Sequence, residues 1–179
     1  ITYNIDKKGA DQTHNICKKF SDAFLFHLDI GSNESINNLM DEINKKCGKL
    51  DILVNNAAIV FWKPFINQSF QEIDKEVSIN LAGLIKTTKG FLHLLERAKD
   101  PRIINIASIS GKIASDEIVT YSATKFGVRG FTQALALEHP KIKVYSVNPG
   151  LTSTQMTKFE GIEPNKVAKN IIKLAEDKL

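Results

Sequence analysis

The segment 120–127, TYSATKFG, places a tyrosine, Tyr121, four residues before a lysine, Lys125. On an α-helix a four-residue step leaves two side chains on the same face. A free phenol has a pKa of about 10, and a neighbouring ammonium group favours its ionised form. Lowering that pKa by about two to three units takes about 3–4 kcal/mol. The spacing therefore predicts a proton-transfer pair, although an ordinary exposed helix face can carry the same two residues.

Three further stretches contain residues suited to a ligand beside this pair. Ser108, upstream of Tyr121, has a hydroxyl that could hydrogen-bond the same substrate oxygen. The segment 55–58, NNAA, ends in two small side chains that let a flat ligand approach the backbone. The segment 148–154, NPGLTST, offers a proline-fixed turn and hydroxyls suited to a carboxamide or phosphate. Turn chemistry alone also favours such residues, but their combination with the Tyr–Lys pair predicts a catalytic site.

The composition excludes several classes of protein. The chain is 42% hydrophobic and 25% charged over 179 residues, which is typical of a globular domain. No run approaches about 18 apolar residues and no secretory signal is found, so we predict no membrane span. The net charge of +4 comes from dispersed lysines, which disfavours a nucleic-acid partner. Cys17 and Cys47 lack metal-ligand spacing, so we predict free thiols, no metal site and a cytoplasmic location.

Short apolar runs alternate with amphipathic segments along the whole chain. This alternation predicts parallel strands joined by crossover helices, with a sheet covered on both faces. We therefore predict an α/β fold, a doubly wound parallel sheet of Rossmann type, in a single domain spanning 1–179. The predicted strands are 23–29, 50–57, 102–108 and 143–150, after the end of an opening strand within 1–6. The predicted helices are 7–20, 34–47, 69–97, 118–138 and 163–178.

The two ends of this pattern differ from a complete dinucleotide-binding unit. Such a unit begins with a strand, a glycine-rich turn and a helix, yet no GxGxxG occurs in the sequence. The chain opens on what resembles the end of a strand and closes on a helix with no strand after it. We therefore expect an amino-terminal strand, turn and helix and a carboxyl-terminal strand to be missing from this sequence.

Six motifs resemble, in order and spacing, those of the short-chain dehydrogenases/reductases across essentially the whole chain. They are LDI at 28–30, LDILVNNAA at 50–58, SINLAG at 78–83, RIINIASISG at 102–111, YSATKFGVRGFT at 121–132 and VNPGLTSTQM at 147–156. The resemblance implies hydride transfer between a nicotinamide cofactor and the carbon of a small-molecule alcohol or carbonyl substrate.

The same resemblance implies four catalytic residues. Tyr121 would be the general acid/base, and Lys125 would hold the nicotinamide ribose hydroxyls and lower the Tyr121 pKa. Ser108 would polarise and position the substrate oxygen. Asn80 would hold a water molecule that links Lys125 to solvent; alternatively, Asn80 is a packing residue at a helix kink.

Two sets of binding residues are also implied by the resemblance. Asp29 would hydrogen-bond the adenine amine, and Ile30 would pack on the adenine ring. The other cofactor residues would be Asn56, Ala57, Ala58, Pro149, Gly150, Thr152 and Thr154, together with Tyr121 and Lys125. The substrate wall would contain Val60, Ser110 and Leu151. The segment after Met156 is shorter than the family's usual substrate lid, so the resemblance does not identify the substrate.

The choice between NAD and NADP depends on the residues after the first strand. An acidic residue there favours NAD by bonding the ribose 2′-hydroxyl. Asn4 occupies the expected position, and Asp6 follows two residues later. Asparagine does not repel a 2′-phosphate, and Lys7 or Lys8 could attract one. We therefore favour NADP over NAD.

Two alternative functions are open from the sequence. A regulator on the same fold could sense NAD(P) without catalysis, but such a protein has no need of the proton-transfer groups. A nucleic-acid-binding domain is suggested only by the sequence pI near 9.0.

The resemblance also implies a homodimer or homotetramer that pairs through the helices near 80–97 and 120–138. An apolar stripe on the second helix faces either a partner or the sheet. Its residues are Phe131, Ala134 and Leu135.

Overall fold

The computed structural model describes residues 1–178, and it confirms the parallel α/β class. The strands are β1 (Thr2–Tyr3), β2 (Phe26–His27), β3 (Ile52–Asn55), β4 (Arg102–Ile106) and β5 (Lys143–Val147). The α-helices are α1 (Lys7–Cys17), α2 (Asn33–Cys47), α3 (Phe70–Val77), α4 (Leu84–Leu95), α5 (Val119–Glu138) and α6 (Pro164–Ala175). The predicted strand at 23–29 is thus reduced to Phe26–His27, and the predicted helices at 7–20 and 163–178 end early.

The strands form two parallel groups. Strand β1 pairs with β2, and β4 lies between β3 and β5. Asn55 pairs with Asn105, and Ile106 pairs with Val147. Because parallel strands end at the same edge of a sheet, the segments that follow β3, β4 and β5 meet there. This edge carries the candidate site.

Helix α4 contributes to three clusters of buried apolar side chains, which hold it between the sheet and its neighbouring helices. The first contains Phe26, Leu39, Phe91 and Leu94, the second Leu95, Ile103, Leu135 and Ile142, and the third Leu84, Ala107 and Val128. Phe131 packs against the second and third clusters. Two members of the predicted stripe, Phe131 and Leu135, therefore face the core, whereas Ala134 is exposed.

A buried polar chain crosses the sheet between these clusters. Asn55 donates from Nδ2 to Asn105 Oδ1 at 2.8 Å and to Thr88 Oγ1 at 2.9 Å. Asn105 in turn donates to Thr132 Oγ1 at 2.9 Å. Buried polar groups are costly unless they are paired, so these bonds favour the observed register of β3 on β4 over a shifted one.

The prediction of one continuous helix at 69–97 is wrong. A π-helical turn, Ser78–Gly83, interrupts the helix and joins α3 to α4. A π turn accommodates an extra residue within a helix, and hydrophobic spacing does not reveal it. Gly83 lies against the segment that follows β2. A Cβ added at Gly83 would be 2.6 Å from the Ile30 carbonyl oxygen. The turn also directs Asn80 inwards, leaving it 1% exposed.

Three further observations concern residues 1–178 only. No helix among them is both long enough and apolar enough to cross a membrane. No group of three or more His, Cys, Asp or Glu side chains among them is arranged to hold a metal ion. Cys17 and Cys47 are not joined in a disulfide.

Candidate active site

A cleft of about 640 Å³ opens at the edge where β3, β4 and β5 end. Three of the predicted catalytic residues, Ser108, Tyr121 and Lys125, line it. The predicted cofactor and substrate residues that line it are Asn56, Ala57, Ala58, Val60, Ser110, Pro149, Gly150, Leu151, Thr152 and Thr154. The fold therefore brings together residues from separate parts of the sequence around one space of ligand size.

Tyr121 and Lys125 lie one turn apart on α5, as the spacing predicts. The Lys125 Nζ atom is 5.5 Å from the centroid of the Tyr121 ring, within the range of a cation–π contact. Ser108 follows β4 with an extended backbone, and its Oγ accepts a hydrogen bond from the Ser110 N–H at 3.1 Å. A phenol, an ammonium group and an aliphatic hydroxyl thus face the same cleft.

The Lys125 ammonium group is buried, with 2% of the residue exposed. Its Nζ donates to the Ile106 carbonyl oxygen at 2.8 Å. Burial lowers the Lys125 pKa from 10.5 to about 8, because desolvation disfavours the charged form. An ammonium group has three N–H donors, so the bond to Ile106 leaves donors for a ligand in the cleft.

The Tyr121 phenol is held in its protonated form. Burial raises its pKa above 10.0, a hydrogen bond with the Ser108 side chain acts in the opposite direction, and the Glu76 carboxylate raises it further. The direction in the ligand-free chain is thus opposite to the predicted lowering of the Tyr121 pKa, because desolvation of the phenol is the largest effect on it. At neutral pH this phenol therefore carries its proton.

Asn80 lies behind the cleft rather than in its lining. Its Oδ1 accepts from the Ile59 N–H at 2.8 Å, and its Nδ2 donates to the Ile59 carbonyl oxygen at 2.8 Å. A longer bond of 3.4 Å joins Nδ2 to Thr124 Oγ1. The side chain therefore holds the backbone of the segment between Ala58 and Val60, and the alternative of a packing residue describes these contacts well.

Replacing Asn80 with alanine is expected to lower the free energy of unfolding by about 2 kcal/mol, because two backbone groups of Ile59 lose their partners. Urea denaturation measures this change. Asn67→Ala is the control, since Asn67 is exposed and its loss should cost less than about 0.5 kcal/mol. Equal stability of the two variants would contradict the role given to the Asn80 amide.

The short turn Ile109–Gly111 packs directly on α5. Arg129 donates from Nη1 to the Gly111 carbonyl oxygen at 2.6 Å. A Cβ added at Gly111 would lie 2.6 Å from the Lys125 carbonyl oxygen, a contact that real Cβ atoms essentially never make. Glycine at this position thus lets the segment after Ser108 approach the helix that carries Tyr121 and Lys125.

We expect Gly111→Ala to lower the free energy of unfolding by about 1–3 kcal/mol, because the turn must move away from α5. Gly130→Ala is the matched control: Gly130 is on α5, and an added Cβ there meets nothing within 4 Å. This control should raise stability by about 0.5–1 kcal/mol, as alanine is the better helix former. Thermal or urea unfolding of both variants checks the opposite signs.

The predicted adenine residues Asp29 and Ile30 do not line the cleft. Asp29 follows β2, and its Oδ1 accepts from the Gly31 N–H at 2.9 Å. Ile30 is 7% exposed and lies against Gly83 of the π-helical turn. These two residues therefore lie outside the cleft, in the segment after β2.

Further residues of the cleft lie outside the predicted set. They are Trp62, Ile106, Ala107, Ile109, Ser115, Asp116, Glu117, Ile118, Gln155, Met156, Thr157 and Val167. Trp62 Nε1 donates to the Met156 carbonyl oxygen at 3.1 Å, a contact between residues 94 positions apart. Glu117 has a φ of 55°, a left-handed conformation that is uncommon outside glycine and occurs often near functional sites. Two of these residues could have been found from the sequence, because Trp62 and Met156 are large apolar side chains in segments that follow strands.

Comparison with known proteins agrees with this architecture. The chain matches the family model described as short chain dehydrogenase over residues 1–164. It is 34% identical over 163 residues to the 3-oxoacyl-[acyl-carrier-protein] reductase FabG of Buchnera aphidicola subsp. Baizongia pistaciae, covering 87% of this chain and 66% of that protein. It is 31% identical over 154 residues to the cyclopentanol dehydrogenase of Comamonas testosteroni, covering 85% of this chain and 62% of that protein. The chain thus spans about two thirds of the length of these curated relatives.

A solved structure has the same fold. The alcohol dehydrogenase from the archaeon Thermococcus sibiricus, complexed with 5-hydroxy-NADP, superposes with a TM-score of 0.89 at 20% sequence identity. The superposition covers 97% of this chain and 77% of that chain. Because the family match extends over residues 1–164, the chain belongs to the short-chain dehydrogenase family.

Proposed function

We propose that the protein is an NAD(P)-dependent oxidoreductase that interconverts a secondary alcohol and a ketone. The observation that carries the proposal is the convergence of Ser108, Tyr121 and Lys125 on one cleft, beside segments of small residues. When bound, a nicotinamide cofactor supplies or accepts the hydride at the substrate carbon. The protein's own side chains orient the substrate and move the proton.

The chemistry of the three polar side chains suits this reaction. The Ser108 and Tyr121 hydroxyls hydrogen-bond the substrate oxygen, and the protonated phenol gives that oxygen its proton as the ketone is reduced. In the reverse direction the same tyrosine takes the proton from the alcohol. Lys125 stabilises the ionised phenol that forms after proton transfer, since its Nζ faces the ring at 5.5 Å. A catalytically silent sensor does not need these three proton-transfer side chains, so we favour an enzyme over a sensor.

The residues at the other side of the cleft suit a nicotinamide nucleotide. Lys125 has N–H donors free of the Ile106 bond, which match the two hydroxyls of a ribose. The small side chains of Ala57 and Ala58 leave room for a flat ring beside them. The cofactor site would be completed within the cleft by Asn56, Pro149, Gly150, Thr152 and Thr154. Asp29 and Ile30, which lie outside the cleft, would contact the adenine.

We favour NADP as the cofactor. The Asp6 carboxylate accepts from the Gly9 N–H at 2.9 Å as the cap of α1, and Lys7 pairs with Asp11 at 2.7 Å. Lys8 is exposed at the same helix start and suits a 2′-phosphate. The nucleotide bound by the Thermococcus sibiricus relative is 5-hydroxy-NADP, which supports the same preference.

Much of the remaining wall of the cleft is apolar, which favours a substrate with a sizeable apolar part. Val60 and Leu151, both predicted, line it together with Trp62, Ile118 and Met156. Apolar walls gain free energy by excluding water from hydrocarbon, about 25 cal/mol for each Å² removed from solvent. Ser110, the third predicted wall residue, is 7% exposed and holds the Ser108 hydroxyl through its N–H.

Self-association is also proposed, although not through the predicted stripe. Phe126 and Leu137 of α5 are 44% and 85% exposed. Exposed apolar side chains on a helix favour contact with a second copy of the chain.

The test is turnover by the full-length protein with NADPH or NADH and a panel of cyclic and linear ketones. Loss of the reduced cofactor's near-ultraviolet absorbance measures the rate, and the ratio of kcat/KM for the two cofactors measures the preference. Turnover of at least one ketone with NADPH preferred supports the proposal. Binding of cofactor without turnover of any ketone or alcohol would instead support the sensor.

A further inference from the structure

One wall of the cleft is completed by a contact between two segments that are far apart in the sequence. Trp62 Nε1, in the segment after β3, donates to the Met156 carbonyl oxygen, in the segment after β5, at 3.1 Å. We propose that Trp62 is a specificity-determining residue whose indole N–H bond holds this wall in place and so limits the size of the substrate's apolar part. The inference deepens the proposed function, on which it rests for the chemistry of the substrate.

The order of the strands makes this contact a bridge across the cleft. Strand β4 lies between β3 and β5, and Ser108 directly follows the segment at its end. A bond between the segments that follow the two outer strands therefore spans the space in front of β4. Trp62, Met156 and Ser108 all line the same cleft, which agrees with this placement. The bridge thus belongs to the space in which the substrate oxygen is proposed to bind.

The backbone on either side of Trp62 is fixed by hydrogen bonds that do not involve the segment after β5. The Phe61 N–H donates to Glu76 Oε1 at 2.9 Å. The Lys63 N–H donates to the Glu117 carbonyl oxygen at 3.0 Å. Because both neighbours of Trp62 are held, its indole is a fixed point from which the other end of the bridge is positioned.

The post-β5 loop, residues 151–162, is held mainly by its own hydrogen bonds. The Ile162 N–H donates to the Leu151 carbonyl oxygen at 2.9 Å, and the Ser153 N–H donates to the Ile162 carbonyl oxygen at 2.9 Å. Within residues 1–178, the bond from the Trp62 indole is the only hydrogen bond that joins this loop to a distant segment. This single bond therefore has a large part in deciding how close the loop lies to the segment after β3.

The bridge lies at the rim of an apolar wall. Trp62 is 49% exposed and Met156 is 36% exposed, so each side chain presents one part to the cleft and another to solvent. Val60 and Leu151 continue the apolar wall inside the cleft. A compact apolar group, such as one small ring, gains free energy by covering this wall. A much larger group must displace the indole, which breaks its bond to the loop.

Three variants separate the hydrogen bond from the bulk of the indole. Trp62→Phe keeps an aromatic ring but has no N–H donor, so it removes the bond with a small loss of volume. Trp62→Ala removes both the bond and the ring. Phe65→Ala is the matched control, because Phe65 is an exposed aromatic residue of the same segment that does not line the cleft.

The first measurement is the ratio of kcat/KM for cyclododecanone to kcat/KM for cyclohexanone, with the full-length protein and NADPH or NADH. We expect this ratio to rise by at least about tenfold in Trp62→Ala and by about threefold in Trp62→Phe, since a wall that excludes bulk discriminates to this extent. The ratio should stay within about twofold of the wild-type value in Phe65→Ala, as an exposed side chain away from the cleft has little effect. An unchanged ratio in Trp62→Ala, or an equal rise in Phe65→Ala, would overturn the proposal.

The second measurement needs no turnover. Trp62 is the single tryptophan of the 179-residue chain, and its indole N–H signal in a 15N NMR spectrum is assigned by its loss in Trp62→Phe. We expect this N–H to exchange with solvent at least about fivefold more slowly than the N–H of free tryptophan, because a bonded donor must open before it exchanges. Binding of the two ketones to the cofactor-free protein, followed by ligand-observed NMR, should show the affinity ratio rising in Trp62→Ala as the kinetic ratio does.

These readouts distinguish failure of this proposal from failure of the proposed function. A slowly exchanging N–H and a changed affinity ratio, in a protein that turns over no ketone, would contradict the proposed reaction and support the role of Trp62. An N–H that exchanges as fast as free tryptophan would contradict that role even in an active enzyme.

Discussion

Replacing Tyr121 with phenylalanine is expected to lower kcat by about 10²–10⁴-fold, the usual contribution of a positioned general acid or base. The change removes one oxygen atom and leaves the ring that Lys125 faces. KM for the cofactor should therefore stay within about threefold of the wild-type value, and the loss should appear in kcat. Steady-state kinetics with the best ketone from the substrate panel measures both parameters.

Tyr145→Phe is the matched control for this experiment. Tyr145 lies on β5, and its hydroxyl donates to Asp177 Oδ1 at 3.5 Å on an exposed part of the chain. Its replacement removes the same atom away from the cleft, and turnover should be unchanged. A Tyr121→Phe variant that keeps the wild-type kcat would contradict this mechanism.

Lys125→Met is expected to make the ligand-free protein more stable and almost inactive. The fall of the Lys125 pKa from 10.5 to about 8 means that its burial costs folding about 3 kcal/mol at neutral pH. Methionine avoids this cost but leaves the Ile106 carbonyl oxygen without its donor, which offsets part of the gain. The expected net rise in the free energy of unfolding is about 1–2 kcal/mol near pH 7, measured by urea denaturation.

The sign of the pH dependence follows from the direction of this shift. Between the folded pKa of about 8 and the unfolded value of 10.5, the unfolded chain binds more protons at Lys125 than the folded chain does. The free-energy cost of burying Lys125 therefore falls as the pH rises through that window. The difference in the free energy of unfolding between Lys125→Met and the wild type should become smaller over the same range. Lys86→Met is the control, since Lys86 is an exposed lysine on α4. A Lys125→Met protein that is less stable than the wild type near pH 7 would contradict the cost assigned to this burial.

The same variant should lose at least about 10²-fold in kcat/KM, with an increase in KM for the cofactor. Lys125 is proposed to hold the ribose hydroxyls and to stabilise the ionised tyrosine, so its loss affects binding and chemistry together. Increased stability with decreased activity is the expected signature of a residue kept for function at a cost to folding.

The order of strands and helices and the parallel class of the sheet could be predicted from the sequence, because burial leaves a local pattern in the chain. The Tyr121–Lys125 pair was likewise visible, since a helix repeat is local and relates two residues four positions apart. Asn56–Ala58 and Pro149–Gly150 were recognisable because they directly follow apolar strands. These inferences need only neighbours in the sequence.

The tertiary structure alone decided which distant groups meet. The π-helical turn Ser78–Gly83 turns Asn80 toward the backbone of Ile59, and hydrophobic spacing does not distinguish such a turn from an ordinary helix. Glu76 occurs in a charged helical segment, yet the fold buries it against Phe61 and Gln68. The direction of the Tyr121 pKa shift also depends on the burial of the phenol, which the spacing of Tyr121 and Lys125 does not reveal. Desolvation and long-range contacts depend on how the whole chain packs, and this is why spacing alone could not predict them.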